Sequence, residues 1–181
     1  MSRGTALITG ASSGIGAAFA RLFAAEGFDL VLTARREQKL QALADDIPTA
    51  TKILVLPGDL STSAGITAFC DSVSSQSLEI DVLVNNAGMM VEEEFPNLTP
   101  EQIERTITLN ITALTLLIHQ FLPAMKARKS GRILNVASVA AFHPVPGMDI
   151  YAATKAYVLS FSEALAENLR DTGISVTALC P

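Results

Sequence analysis

TALITGASSGIG, residues 5–16, decides the fold: five strand-forming residues run into a turn with three glycines and on into a helical segment. Ala6, Leu7 and Ile8 are apolar in succession instead of alternating with polar residues, as in a strand covered by helices on both faces. Gly10, Gly14 and Gly16 let the backbone turn tightly and approach a ligand closely. The N-terminus of the following helix adds unpaired N–H groups and a partial positive charge. That combination suits the diphosphate of a dinucleotide. The spacing is Gly-x-x-x-Gly-x-Gly, not the more common Gly-x-Gly-x-x-Gly, and a glycine-rich turn standing alone also occurs as a plain turn.

Five further β-rich runs follow at helix-length intervals: FDLVLTA (28–34), KILVLPG (52–58), IDVLVNN (80–86), RILNVAS (132–138) and ISVTALC (174–180). This β-α-β alternation predicts an α/β protein of three αβα layers. The expected sheet is a Rossmann-type, doubly wound parallel one with strand order 3-2-1-4-5-6. Gly27 reads as the C-cap of the first helix. Thr99-Pro100-Glu101-Gln102 combines an N-cap, a proline in the first turn and a capping-box glutamine, opening a long helix expected to reach about Met125. With 181 residues, 49% of them hydrophobic and 17% charged, a single domain over residues 1–181 is expected.

A net charge of −5 argues against nucleic acid and anionic lipid as partners. No stretch approaches the roughly 18 consecutive apolar residues of a membrane span. No charged segment followed by a long apolar run precedes TALIT, so no secretion signal is expected. Cys70 and Cys180 are too few for a disulfide framework and lack metal-ligand spacing; they read as buried thiols of a reducing cytoplasm, and no metal site is expected. Glu92-Glu93-Glu94 reads as a solvated loop.

Ligands of an open parallel sheet bind at the carboxyl ends of the strands, which directs attention to the other strand ends. The second run ends Thr33-Ala34-Arg35-Arg36. A neutral Ala34 where a carboxylate would read a ribose 2′-hydroxyl, followed by an arginine able to fork onto a 2′-phosphate, favours NADP over NAD; the alternative is two solvated arginines. Asp59, after the third run, is read either as a partner of the adenine amino group or as a helix cap. Asn85 and Asn86, after the fourth, are read as structural ties between strands, the alternative being that they line the cofactor channel. The fifth run ends at Ser138, and 13 residues later Tyr151 and Lys155 stand one helical turn apart in YAATK. A free phenol, with a pKa of about 10, exchanges protons poorly at neutral pH, but a cation within about 4–6 Å favours the phenolate. Such a pair can give a proton to a carbonyl oxygen and take it back, while the Ser138 hydroxyl holds that oxygen. His143 and Met148, in the intervening loop, are expected at the substrate pocket, and His119 as a packing residue.

TGASSGIG, NNAG, Ser138 and YAATK in this order resemble the short-chain dehydrogenase/reductase family from Thr5 to Pro181. The resemblance implies that Gly10, Ser12, Ser13, Gly14, Ile15 and Gly16 cradle the pyrophosphate and that Asp59 and Leu60 meet the adenine. It implies that Asn86, Ala87 and Gly88 flank the adenosine ribose, with Arg35 and Arg36 toward the 2′-phosphate of NADP. Tyr151 would be the acid/base, Lys155 would bind the nicotinamide ribose, and Asn110 would position a water for proton relay. Small-molecule carbonyls or alcohols are the implied substrates, and a homodimer or homotetramer the implied assembly, with ITALTLLIHQFL facing either a partner chain or the protein's own sheet. Two departures stand out. Ser138-Val139-Ala140-Ala141 lacks the glycine common after that serine, and the sequence stops at Cys180-Pro181, where relatives continue into a substrate-covering segment and a last strand. Residues 1–181 are therefore expected to form one dinucleotide-binding and catalytic domain without that segment. Two other functions remain open: a dinucleotide-binding sensor or scaffold without turnover, and a nucleotide-sugar epimerase or dehydratase, which uses a similar Tyr/Lys pair.

Overall fold

The computed structural model describes residues 2–47 and 51–181. Six strands, β1 (Thr5–Thr9), β2 (Asp29–Thr33), β3 (Ile53–Val55), β4 (Val82–Asn85), β5 (Gly131–Val136) and β6 (Ile174–Leu179), form one parallel sheet in the order β3-β2-β1-β4-β5-β6. The predicted order is the one observed. Ala6 pairs with Leu30 on one side and Val82 on the other, so β1 lies at the centre, where the winding direction reverses.

Six α-helices cover the sheet: α1 (Gly14–Ala25), α2 (Glu37–Asp46), α3 (Ser63–Ser75), α4 (Pro100–Ile107), α5 (Leu114–Arg128) and α6 (Asp149–Asn168). Successive strand residues point to opposite faces. Ala6, Ile8, Leu30, Leu32, Val82 and Val84 therefore join one core with Ala20 of α1 and Leu40 of α2. Leu7, Val31, Leu83 and Ile133 join the other, with Phe69 of α3, Leu117 of α5 and Val158 of α6. This double burial is why the strands are apolar at consecutive positions.

Thr99 caps α4 as expected: its Oγ1 accepts from the Gln102 N–H at 3.2 Å, and the Gln102 Oε1 accepts from the Thr99 N–H at 2.8 Å. The Gly27 N–H closes the end of α1 on the Ala24 carbonyl. The long helix predicted from Thr99 is not uniform, because a π-helical turn over Thr108–Ala113 separates α4 from α5. By length and composition the run Pro100–Arg128 could cross a membrane, yet Leu114, Leu117, Ile118 and Met125 are packed into the core beside the sheet. That stripe also corrects the reading of His119, which lies exposed beside Leu116 on the opposite face of α5. Cys70 and Cys180 are free and only half-buried, not fully buried as expected, because each packs at the margin of the core.

Candidate active site

The β1–α1 turn and the β4 end meet where the sheet reverses. Thr9 holds them together: its Oγ1 accepts from the Asn86 N–H at 3.0 Å and the Ala87 N–H at 2.9 Å, while Asn86 Nδ2 donates to the Thr9 carbonyl at 2.9 Å. Gly14 sits at φ +55 with nothing within 4 Å of where a Cβ would stand, so the turn faces open space there. Gly16 is needed for the opposite reason, since a Cβ would lie 2.4 Å from the Gly10 carbonyl oxygen. The turn is thus packed tightly from behind and open in front, a cradle that suits a diphosphate.

Two adjoining cavities share this turn. The larger, about 840 Å³, runs from Gly14 and Ile15 past Ala87 and Gly88 to Ser138, Tyr151 and Lys155. The smaller, about 310 Å³, extends from Ser12 and Ser13 to Arg35, Arg36, Asp59 and Leu60. Every proposed site residue except Gly16 and Asn110 lines one of them; Gly16 lies buried behind the turn, and Asn110 behind Gly88. Arg35 is exposed at the outer wall, whereas Arg36 Nη2 donates to both Ser12 Oγ and Ser13 Oγ at 3.0 Å, tying α2 to the turn. The Leu60 side chain belongs to the core, which leaves its main chain for the cavity. Thr62, not Asp59, caps α3, accepting from the Gly65 N–H at 3.1 Å. Burial pushes the Asp59 carboxyl up, but the Ser61 hydroxyl and N–H, Arg105 and Arg35 outweigh it and hold the group below the usual carboxylate range.

At the other end, Ser138 is 8% exposed, and its Oγ accepts from the Ala140 N–H at 3.2 Å. Tyr151 and Lys155 lie one turn apart near the start of α6, with Lys155 Nζ 5.6 Å from the centre of the Tyr151 ring. Lys155 is 5% exposed, and Nζ donates to the Val136 carbonyl at 2.7 Å. Burial pushes its pKa down to about 8, with the Cys180 thiol opposing the shift. Asn110, in the π-helical turn, clamps its surroundings: Oδ1 accepts from the Met89 N–H at 2.9 Å, and Nδ2 donates to the Met89 carbonyl at 2.9 Å and to Thr154 Oγ1 at 3.0 Å. A Cβ on Gly88 would stand 3.4 Å from both Asn110 Oδ1 and Lys155 Nζ, so glycine there keeps open the space between them. His143 and Met148 line the larger cavity beside Met89, Met90 and Val145.

Asn85 ties two strands as expected, but sequence reasoning overlooked the residues that support it and the rest of the site. Asn85 Nδ2 donates to Asn135 Oδ1 at 2.9 Å, and Asn135 Nδ2 to Ser162 Oγ at 2.9 Å, a buried polar ladder from β4 through β5 to α6. The signal was an asparagine inside an otherwise apolar strand, which must find a partner when buried. Thr154, beside Lys155, and Arg105, one turn from Glu101, gave no comparable sign.

A family model described as short chain dehydrogenase matches residues 4–181. The chain is 36% identical to an NADP-dependent 3-hydroxy acid dehydrogenase of Salmonella typhimurium, over 97% of this chain and 70% of that protein. A short-chain dehydrogenase from Sphingobium yanoikuyae, solved in complex with NADPH, superposes with a TM-score of 0.93 at 44% identity, covering 98% of this chain and 70% of that one. A bulky-bulky ketone specific alcohol dehydrogenase from Comamonas testosteroni gives a TM-score of 0.94 at 38% identity, with 100% and 73% covered.

Proposed function

The chain belongs to the short-chain dehydrogenase family, and on that premise we propose that it is an NADP(H)-dependent oxidoreductase moving a hydride between nicotinamide and a carbonyl or secondary alcohol. The observation that carries this reading is a pair of adjoining cavities that share the glycine turn, with Ser138, Tyr151 and Lys155 lining the larger and Arg35, Arg36 and Asp59 the smaller. The tight packing behind Gly16 and the open front of Gly14 fit a diphosphate. Arg35 and Arg36 at the adenosine end fit a 2′-phosphate, in keeping with the NADP-dependent and NADPH-bound relatives.

When bound, the reduced nicotinamide supplies the hydride. Ser138 Oγ, already an acceptor from Ala140, keeps its own proton to donate to the substrate oxygen. Tyr151 Oη gives its proton to that oxygen as the carbonyl carbon is reduced, and takes one back in the reverse direction. Lys155 Nζ, anchored on the Val136 carbonyl, retains N–H donors for ribose hydroxyls. Asn110 fixes the post-β4 loop and, with the space that Gly88 leaves, positions the water that returns a proton toward Lys155. His143 and Met148 contact the substrate, and residues 1–181 act as one unit for cofactor binding and proton transfer. Exposed Leu116 and Tyr157, on α5 and α6, fit a homo-oligomeric contact.

Titration with NADPH and with NADH tests the reading. NADPH binding at least tenfold tighter, about 1.4 kcal/mol, together with NADPH oxidation on adding ketones or aldehydes, is the expected result. Equal affinities would remove the phosphate role of Arg35 and Arg36, and binding without turnover of any carbonyl would favour a sensor.

A further inference from the structure

Arg105 belongs to α4, outside the proton-transfer centre and outside the cavity lining, yet its guanidinium reaches Asp59, which lines the adenosine end of the smaller cavity. Nη2 donates to Asp59 Oδ2 at 3.0 Å and to Ser61 Oγ at 2.8 Å. Asp59 Oδ1 accepts from the Ser61 N–H at 3.0 Å and the Ser61 hydroxyl at 2.7 Å. A carboxylate has about four lone-pair sites. Both on Oδ1 are filled by Ser61 and one on Oδ2 by Arg105, leaving a single acceptor site on Oδ2 beside the cavity.

On the reading that a dinucleotide occupies this cavity, the exocyclic amino group of adenine is the donor that fits the vacant acceptor. We propose that Arg105 is a positioning residue for adenine recognition, locking the Asp59 carboxylate so that its one remaining lone pair meets the base. The carboxylate torsion of aspartate is broad, so Ser61 pins one oxygen and a second contact is needed to define where the other points. Arg105 is itself steadied by Glu101, one turn earlier, at 3.8 Å. The Arg105 and Asp59 side chains are 33% and 38% exposed, and an ion pair so open to water contributes little to stability. Its effect is therefore orientation. Arg105 lies in the last turn of α4, which runs directly into the π-helical turn holding Asn110, so one helical run carries both residues.

The test compares the affinities of the full chain and of Arg105→Ala for three ligands: NADPH, its analogue with hypoxanthine in place of adenine, and reduced nicotinamide mononucleotide. The wild-type protein should prefer NADPH over the hypoxanthine analogue by about tenfold or more, the value of a hydrogen bond to a charged group. In Arg105→Ala that preference should fall to about twofold or less, with mononucleotide affinity unchanged. Arg105→Met, which keeps the stem but no donor, carries the same comparison if the alanine variant does not fold. Wild-type preference retained in the variants, or an equal loss for all three ligands, would reduce Arg105 to a structural staple and overturn the proposal. A wild-type protein that binds NADPH without preferring adenine overturns it while leaving the hydride-transfer reading intact. Failure of the wild type to bind any dinucleotide overturns that reading itself and the Arg105 role with it.

Discussion

Tyr151 and Lys155 share one face of α6 because residues four apart do, but their environments differ: Tyr151 is half-buried and Lys155 is 5% exposed, though both line the cavity. Tyr151→Phe removes only the transferable proton. Turnover should fall by about 10²–10⁴-fold, the usual worth of a general acid, while NADPH affinity measured by fluorescence stays within about twofold; an active variant would assign proton transfer elsewhere. Lys155 makes a separate prediction. Its pKa is pushed down to about 8 in the folded protein from an ordinary 10.5. Between those values the unfolded chain holds a proton that the folded one has released, so stability rises with pH across this window. Below it the protein bears the full cost of a buried ammonium, about 3 kcal/mol. Urea unfolding of the cofactor-free protein from pH 7 to 10 should show Lys155→Met losing this rise relative to wild type. A parallel pH profile for the two proteins would mean that Lys155 is not desolvated.

At the scale of elements, β1, its turn and α1 work as one device, and two of its glycines serve different ends. Gly16→Ala forces a methyl group against the Gly10 carbonyl and the Asn86 amide, at 2.4 and 2.5 Å. Overpacking of this kind costs about 3 kcal/mol, and the displaced turn should also lose NADPH affinity. Gly14→Ala meets no neighbour, and its cost is the left-handed backbone alone, about 1–2 kcal/mol. Urea melts of the two variants should rank them in that order; the reverse order would show that the turn relaxes around Gly16. The π-helical turn before α5 is a second such device, since it turns Asn110 toward Met89 and Thr154 instead of leaving it in a regular helical register.

Across the whole molecule, the two cavities are lined by residues at the ends of β1 to β5 and the start of α6, so a cofactor bound there should stabilise the entire fold. At a hundred times its dissociation constant NADPH adds about 2.7 kcal/mol, which for a chain of this size raises Tm by roughly 5–10 °C. NADH at the same concentration should give about half that shift if its binding is tenfold weaker. Equal shifts in thermal melts would remove Arg35 and Arg36 from cofactor choice.

The alternation of apolar runs and helical segments was enough to determine the class of fold, because burying a parallel sheet on both faces leaves consecutive apolar residues in every strand. The glycine turn, Ser138, Tyr151 and Lys155 were legible for a related reason: backbone approach, strand ends and helical periodicity are local properties. The strand boundaries were slightly overdrawn, most of all at β3, where only Ile53–Val55 pair with β2 out of the run 52–58. What only tertiary structure decided is how distant residues meet: the hold of Thr9 on Asn86, the ladder through Asn135 to Ser162, the grip of Asn110 on Met89 and Thr154, and the reach of Arg105 to Asp59. The face of α5 that carries His119 was decided in the same way. Each pairing joins residues far apart in the chain, or depends on which side of a helix the core takes, and no local pattern encodes either.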